Sequence, residues 1–141
     1  METLEKLRPL ALLLLRCAVG AIFIYHGYPK LFTQSQRYVG AFPHMGFPPY
    51  FAYVAGVLEF FGGILLVVGL FTRVAAALLG AEMAVAIWMV HLPQGGWRAV
   101  ANFELPMILG ASAFLLLALG AGAVSLDYAL THRTGKRGRG R

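Results

Sequence analysis

The sequence predicts an all-α integral membrane protein, a four-helix bundle with a polar, charged core. Its composition, four long apolar stretches and three charged residues inside those stretches carry that prediction. Apolar residues make up 59% of the 141-residue chain and charged residues 13%, against about 45–50% and about 25% in soluble domains. A small soluble domain leaves much of its chain exposed, so it has no way to hide this much apolar surface. Soluble globular and disordered classes are excluded. The length suits one domain or a few membrane spans, not both. Cys17 is the sole cysteine, which excludes an internal disulfide, a dithiol pair and a cysteine-rich metal or iron–sulfur site.

The four stretches cover residues 9–28, 50–70, 73–92 and 103–126. Each is close to the roughly 20 residues that cross a bilayer as helix, and none shows the alternation of a membrane strand. Pro9 is expected in the first turn of span one, where a helix tolerates it. Pro29, Pro48, Pro49 and Pro93 fall in connections, where proline helps stop or start helices. A cleaved signal peptide is not expected, because Arg16 breaks the first apolar run and no small-x-small site follows. The first outer connection, residues 29–49, carries Phe32, Tyr38, Phe42 and Phe47 and is expected to lie at the interface as a partial cover. The division expected is a membrane domain over residues 1–132 and a basic, disordered tail over 133–141.

The net charge of +6 is local, because five of the twelve basic residues lie in that tail. With four spans, the side bearing both termini carries Lys6, Arg8, Arg73, Arg133, Lys136, Arg137, Arg139 and Arg141, against Lys30, Arg37 and Arg98 on the other. Eight against three places both termini in the cytoplasm. Beside a membrane, a basic tail is expected to meet anionic lipid rather than nucleic acid.

Charged residues within spans must face the bundle, since an ionised group at mid-bilayer costs at least about 2.5–3.5 kcal/mol. Arg16, Glu59 and Glu82 are such residues. Their depths make a contact between Arg16 and Glu59 or Glu82 geometrically reasonable. Gly20 and Gly27 beside Arg16, and Gly56 and Gly63 beside Glu59, supply small faces for close packing. This layer either serves a site or only fixes helix register.

A second polar layer is expected at the outer end: His26 and Lys30 close span one, His91 closes span three, and Asn102 and Glu104 open span four. With Phe23 and Trp97 as stacking partners, these groups would suit a quinone head group, which needs hydrogen bonds at its carbonyls. The alternative is an interfacial cap satisfied by water and lipid headgroups. His26 and His91 alone do not specify a bis-histidine haem site, and no paired metal-ligand spacing or nucleotide-binding glycine motif is present. Neither haem nor a metal is expected.

Several segments in order resemble the DoxX family of small four-helix bacterial membrane proteins. They are Arg16 with Gly20-x-x-Phe23, His26-Gly27-x-x-Lys30-Leu31, Gly46-Phe47-Pro48 and Glu59-x-x-Gly62-Gly63. Gly69-Leu70-x-Thr72-Arg73, Asn102-x-Glu104, Gly120-x-Gly122 and Ser125-Leu126-Asp127 follow. The resemblance runs over residues 13–130, with Ala121 standing where a proline is usual. It implies a four-helix domain of the bacterial inner membrane. Some family members are linked to thiosulfate oxidation with quinone as acceptor, others to membrane redox or thiol-stress complexes.

The expected role is therefore a subunit of a quinone-linked, sulfur- or thiol-related redox system, binding quinone or anchoring a redox partner. With no electron carrier visible in the sequence, it would depend on other membrane or redox subunits, or on self-association. A non-catalytic accessory subunit packed against a larger complex, and a small-solute or proton pathway through the buried acids, are the alternatives.

Overall fold

A computed structural model describes the backbone of residues 2–93, 95 and 100–137 and the side chains of residues 5–93, 95 and 103–132. Among these residues the chain is helical nearly throughout, with no strand. Helix α1 (Glu2–Tyr28) runs directly into a π-helical turn, Pro29–Thr33. A short helix α2 (Ser35–Ala41) and a 3₁₀ turn (Phe42–Met45) form the connection to α3 (Phe51–Val68). Helix α4 (Thr72–Val85) also ends in a π-helical turn, Ala86–His91, and α5 (Val100–Leu119) and α6 (Leu126–Arg137) complete the chain.

Three helical segments are long and apolar enough to cross a membrane, Glu5–Thr33, Phe51–Val68 and Thr72–His91. The 20 residues of α5 extend about 30 Å, which also matches the hydrocarbon thickness. The protein is a helical membrane protein. Helix α1 packs against α3, α3 against α4, α4 against α5, and α5 returns to α1. Outside this ring the surface is apolar, as lipid contact requires: Phe61, Ile108 and Phe114 are each more than half exposed.

Small residues set the closest approach. A Cβ on Gly20 would lie 2.6 Å from the Gly63 carbonyl oxygen, and one on Gly63 would lie 2.6 Å from that of Gly20. Only glycine lets the α1 and α3 backbones meet there. Next to this seam, Leu12, Val19, Phe23, Leu66, Leu79 and Leu116 form the buried core with Ala75 and Ala76.

Three boundaries differ from the sequence reading. Helix α1 begins at Glu2, so Pro9 lies inside it; its missing N–H leaves one carbonyl of the first turns without an intrahelical partner. The fourth span ends at Leu119 rather than near residue 126, because Gly120 and Gly122, both at φ +78, reverse the chain. The segment expected to be disordered from residue 133 is helical up to Arg137. Residues 138–141 lie outside the described residues.

Candidate functional site

The polar residues of the bundle fall into two clusters, and Arg16 belongs to the one nearer the α3–α4 turn. Its side chain is only 1% exposed. Nη2 donates to the Val124 carbonyl in the α5–α6 turn, and Nε and Nη1 meet no protein acceptor among the described residues. A Cβ on Gly69 would overlap Nη1. The guanidinium therefore fills the space beside Gly69.

Asp127 completes this cluster. Its backbone N–H donates to the Gly69 carbonyl at 2.9 Å. Its carboxylate accepts from the N–H groups of Phe71 at 2.8 Å and Thr72 at 3.0 Å, which caps the start of α4 from 55 residues away. Phe71 sits at φ +47, a left-handed conformation costly for a residue with a Cβ. The bond to Asp127 offsets that strain. Arg16 thus meets a backbone turn instead of the expected Glu59 or Glu82.

Glu59 pairs with Lys30. Nζ donates to Oε2 at 2.5 Å, with the two side chains 14% and 5% exposed. The π-helical turn Pro29–Thr33 makes this possible, since one extra residue per turn swings Lys30 away from the face of His26 and toward α3. Gly56, one turn before Glu59, leaves the room: a Cβ there would lie 3.0 Å from the Lys30 Cβ and 2.9 Å from the Leu31 side chain.

This ion pair sits on the floor of a cavity of about 580 Å³ between α3 and α4. Glu82 enters it from α4, its Oε2 buried and without a protein partner among the described residues. His91 enters from the second π-helical turn, and its Nδ1 lies 2.8 Å from the Ala86 carbonyl. A carbonyl can only accept, so the proton of that bond sits on Nδ1 and a neutral ring offers Nε2 as an acceptor. The remaining walls are apolar. Phe42, Met45 and Phe47 of the first connection cover the cavity, together with Tyr38, whose ring lies 5.8 Å from Lys30 Nζ. Val54, Leu78 and Val85 flank its mouth and are each 44–49% exposed, so it opens sideways onto the apolar surface. Both π-helical turns of the bundle border this one cavity, and such turns are frequent at functional sites.

The expected outer layer does not converge. Lys30 and His91 reach the cavity, but His26 faces a separate open groove of about 700 Å³ with Tyr25, Tyr28 and Gln34. Phe23 is 1% exposed in the hydrophobic core, which removes it as a stacking partner. Glu104 is exposed on α5. Trp97 and the side chain of Asn102 lie outside the described residues. No three His, Cys, Asp or Glu residues gather as a metal would require among those described. Of the described members of that layer His26 is misplaced, because the layer rests on depth alone and depth does not say which side of α1 a residue faces.

Residues 11–92 match the family model described as DoxX. The chain belongs to the DoxX family. This DoxX protein is 39% identical to an uncharacterized protein of Haemophilus influenzae over 135 residues, 90% of this chain and 96% of the relative. It is 35% identical to the inner membrane protein YphA of Escherichia coli, over 85% of this chain and 90% of the relative. A Bacillus subtilis protein named "Putative oxidoreductase CatD" is 32% identical over 82% of this chain and 83% of its own length. No solved structure matches. The matched segment spans the three helices, α1, α3 and α4 with their π-helical turns, that carry Lys30, Glu59, Glu82 and His91 into the cavity.

Proposed function

We propose that this DoxX protein binds the ring of a membrane quinone in the α3–α4 cavity and serves as the membrane subunit of a redox system whose electrons come from a partner. The observation that carries this reading is an apolar, laterally open cavity with convergent polar groups on its floor. Its volume of about 580 Å³ falls in the usual ligand-site range of about 300–1,000 Å³. A quinone combines an apolar body with two opposed oxygens. The sideways mouth fits a ligand that arrives from the bilayer with an apolar tail.

When bound, quinone supplies two-electron, two-proton redox chemistry; the chain supplies position and proton-holding groups. A quinone carbonyl only accepts, so Glu82 Oε2 and His91 Nε2 meet it when protonated, and accept from the O–H groups of the reduced ring when not. Lys30 holds Glu59 in place and adds positive charge nearby. Phe42 and Phe47 exclude water above the ring. The name of the Bacillus relative agrees with an oxidoreductase setting.

The test is a titration of a short-chain quinone into the purified protein, read by quenching of Trp88, which lies in the π-helical turn beside His91. Glu82→Gln and His91→Leu should each weaken binding about tenfold, or about 1.4 kcal/mol. His26→Ala and Glu104→Gln should leave it unchanged, because neither residue lines the cavity. A folded wild-type sample without saturable quenching would sink the quinone reading.

The same reading places both termini in the cytoplasm, from the distribution of basic residues. Single cysteines at Ser35, Gln94 and Thr134 in a Cys17→Ala background test it. An impermeant thiol reagent applied to intact cells should label the first two and spare the third; the reverse pattern would invert the orientation.

A further inference from the structure

Helix α6 is unlike every other long helix of the molecule. Its twelve residues, Leu126–Arg137, extend about 18 Å, too short to cross a bilayer. It starts where α5 has already ended, after a reversal at Gly120 and Gly122. Its first turn is fastened to the end of the bundle by the bonds of Asp127 to Gly69, Phe71 and Thr72. That anchorage fixes α6 at the level where the helices α3, α4 and α5 leave the apolar slab.

Its side chains have two characters. Leu126, Ala129 and Leu130 follow the i, i+3, i+4 spacing of one helix face and are all exposed, Leu126 at 47% and Leu130 at 53%. Farther along, the chain carries Arg133, Lys136, Arg137, Arg139 and Arg141, with no acidic residue after Asp127. A short helix with an exposed apolar face and an unbalanced basic end matches an interfacial anchor: the apolar face enters the boundary of the bilayer and the cations meet its phosphates.

We infer that α6 is a membrane-surface anchor selective for anionic lipid headgroups. Charge complementarity selects this occupant: in the sequence of the helix Arg133, Lys136 and Arg137 follow its exposed leucines, with no acidic residue after Asp127, in a protein that already sits in the bilayer. The anchor is independent of the cavity. Through Asp127, seating α6 on anionic lipid also holds the α3–α4 turn.

The experiment uses the full chain in nanodiscs of mixed phosphatidylcholine and phosphatidylglycerol. Leu130→Trp in a Trp88→Phe, Trp97→Phe background provides one reporter, and either lipid is brominated in turn while the bilayer composition stays fixed. The expected result is quenching at least twofold stronger by the brominated phosphatidylglycerol. That preference should vanish at high salt and when Arg133, Lys136 and Arg137 are changed to glutamine, with the helical circular dichroism retained. Absence of quenching by either lipid would overturn the inference and leave α6 as a surface for a protein partner. Equal quenching by both lipids would overturn headgroup selection.

Discussion

The two polar clusters of this bundle look alike in composition and differ in what surrounds them. Arg16, the largest fully buried side chain, is packed so tightly that Gly69 has no room for a methyl group. Glu59, Glu82, Lys30 and His91 also sit within the bundle, yet they border about 580 Å³ of space reached from the side. Burying polar groups without space fixes structure: Arg16 joins α1 to two turns, bonded to the Val124 carbonyl and packed against Gly69. Burying them beside space leaves capacity for a ligand: Arg16 and Glu82 both keep unpartnered polar atoms, but only Glu82 borders the cavity. The presence of charge in a span is therefore a poor guide to function until the free volume beside it is known.

The contrast breaks first at Arg16. Arg16→Ala removes a bulky buried group and strands the Val124 carbonyl, and should destabilise the protein by about 3–5 kcal/mol. The near-isosteric Glu82→Gln should change stability by no more than about 1 kcal/mol. Thermal unfolding in mild detergent, followed by circular dichroism, compares the two. Comparable losses would erase the distinction between a packed cluster and a site.

Asp127→Ala comes next. It removes the cap on α4 and the support for Phe71 at positive φ, so a loss of about 1–2 kcal/mol is expected. Asp127→Asn, which keeps one carbonyl acceptor, should recover part of it. An unaltered melting temperature for Asp127→Ala would show that the α3–α4 turn holds its shape alone.

The finest test separates the partners. A double-mutant cycle on Lys30 and Glu59 should give a coupling above about 0.5 kcal/mol, whereas one on Arg16 and Glu82 should be additive within about 0.5 kcal/mol. Coupling between Arg16 and Glu82 would restore a single charged layer across the bundle.

Much of this was legible in the residues. Long apolar runs mark α1, α3, α4 and α5, because hydrophobic transfer is a local sum along the chain. Arg16, Glu59 and Glu82 stand out within those runs, and their cost in lipid forces them inward. Gly20, Gly56 and Gly63 announced tight packing for the same local reason. The sequence also carried the aromatic cover over residues 29–49, several of whose rings line the cavity. It joined His26 to Lys30 in one layer because both end the first span, and depth along a span does not say which way a side chain faces once the π-helical turn at Pro29–Thr33 intervenes. It also overran α5, because the turn from Gly120 to Val124 holds no polar side chain to mark it off from the helix before it.

By itself, then, the sequence determined that this is a membrane bundle and which residues cannot face lipid, since both follow from the solvation of each side chain where it stands. Only the tertiary structure decided which charges meet. Pairing depends on helix rotation, on a few ångströms of free volume and on contacts between residues far apart in the chain. Lys30 reaches Glu59 across 29 positions and Arg16 reaches Val124 across 108, and no local sum contains either distance.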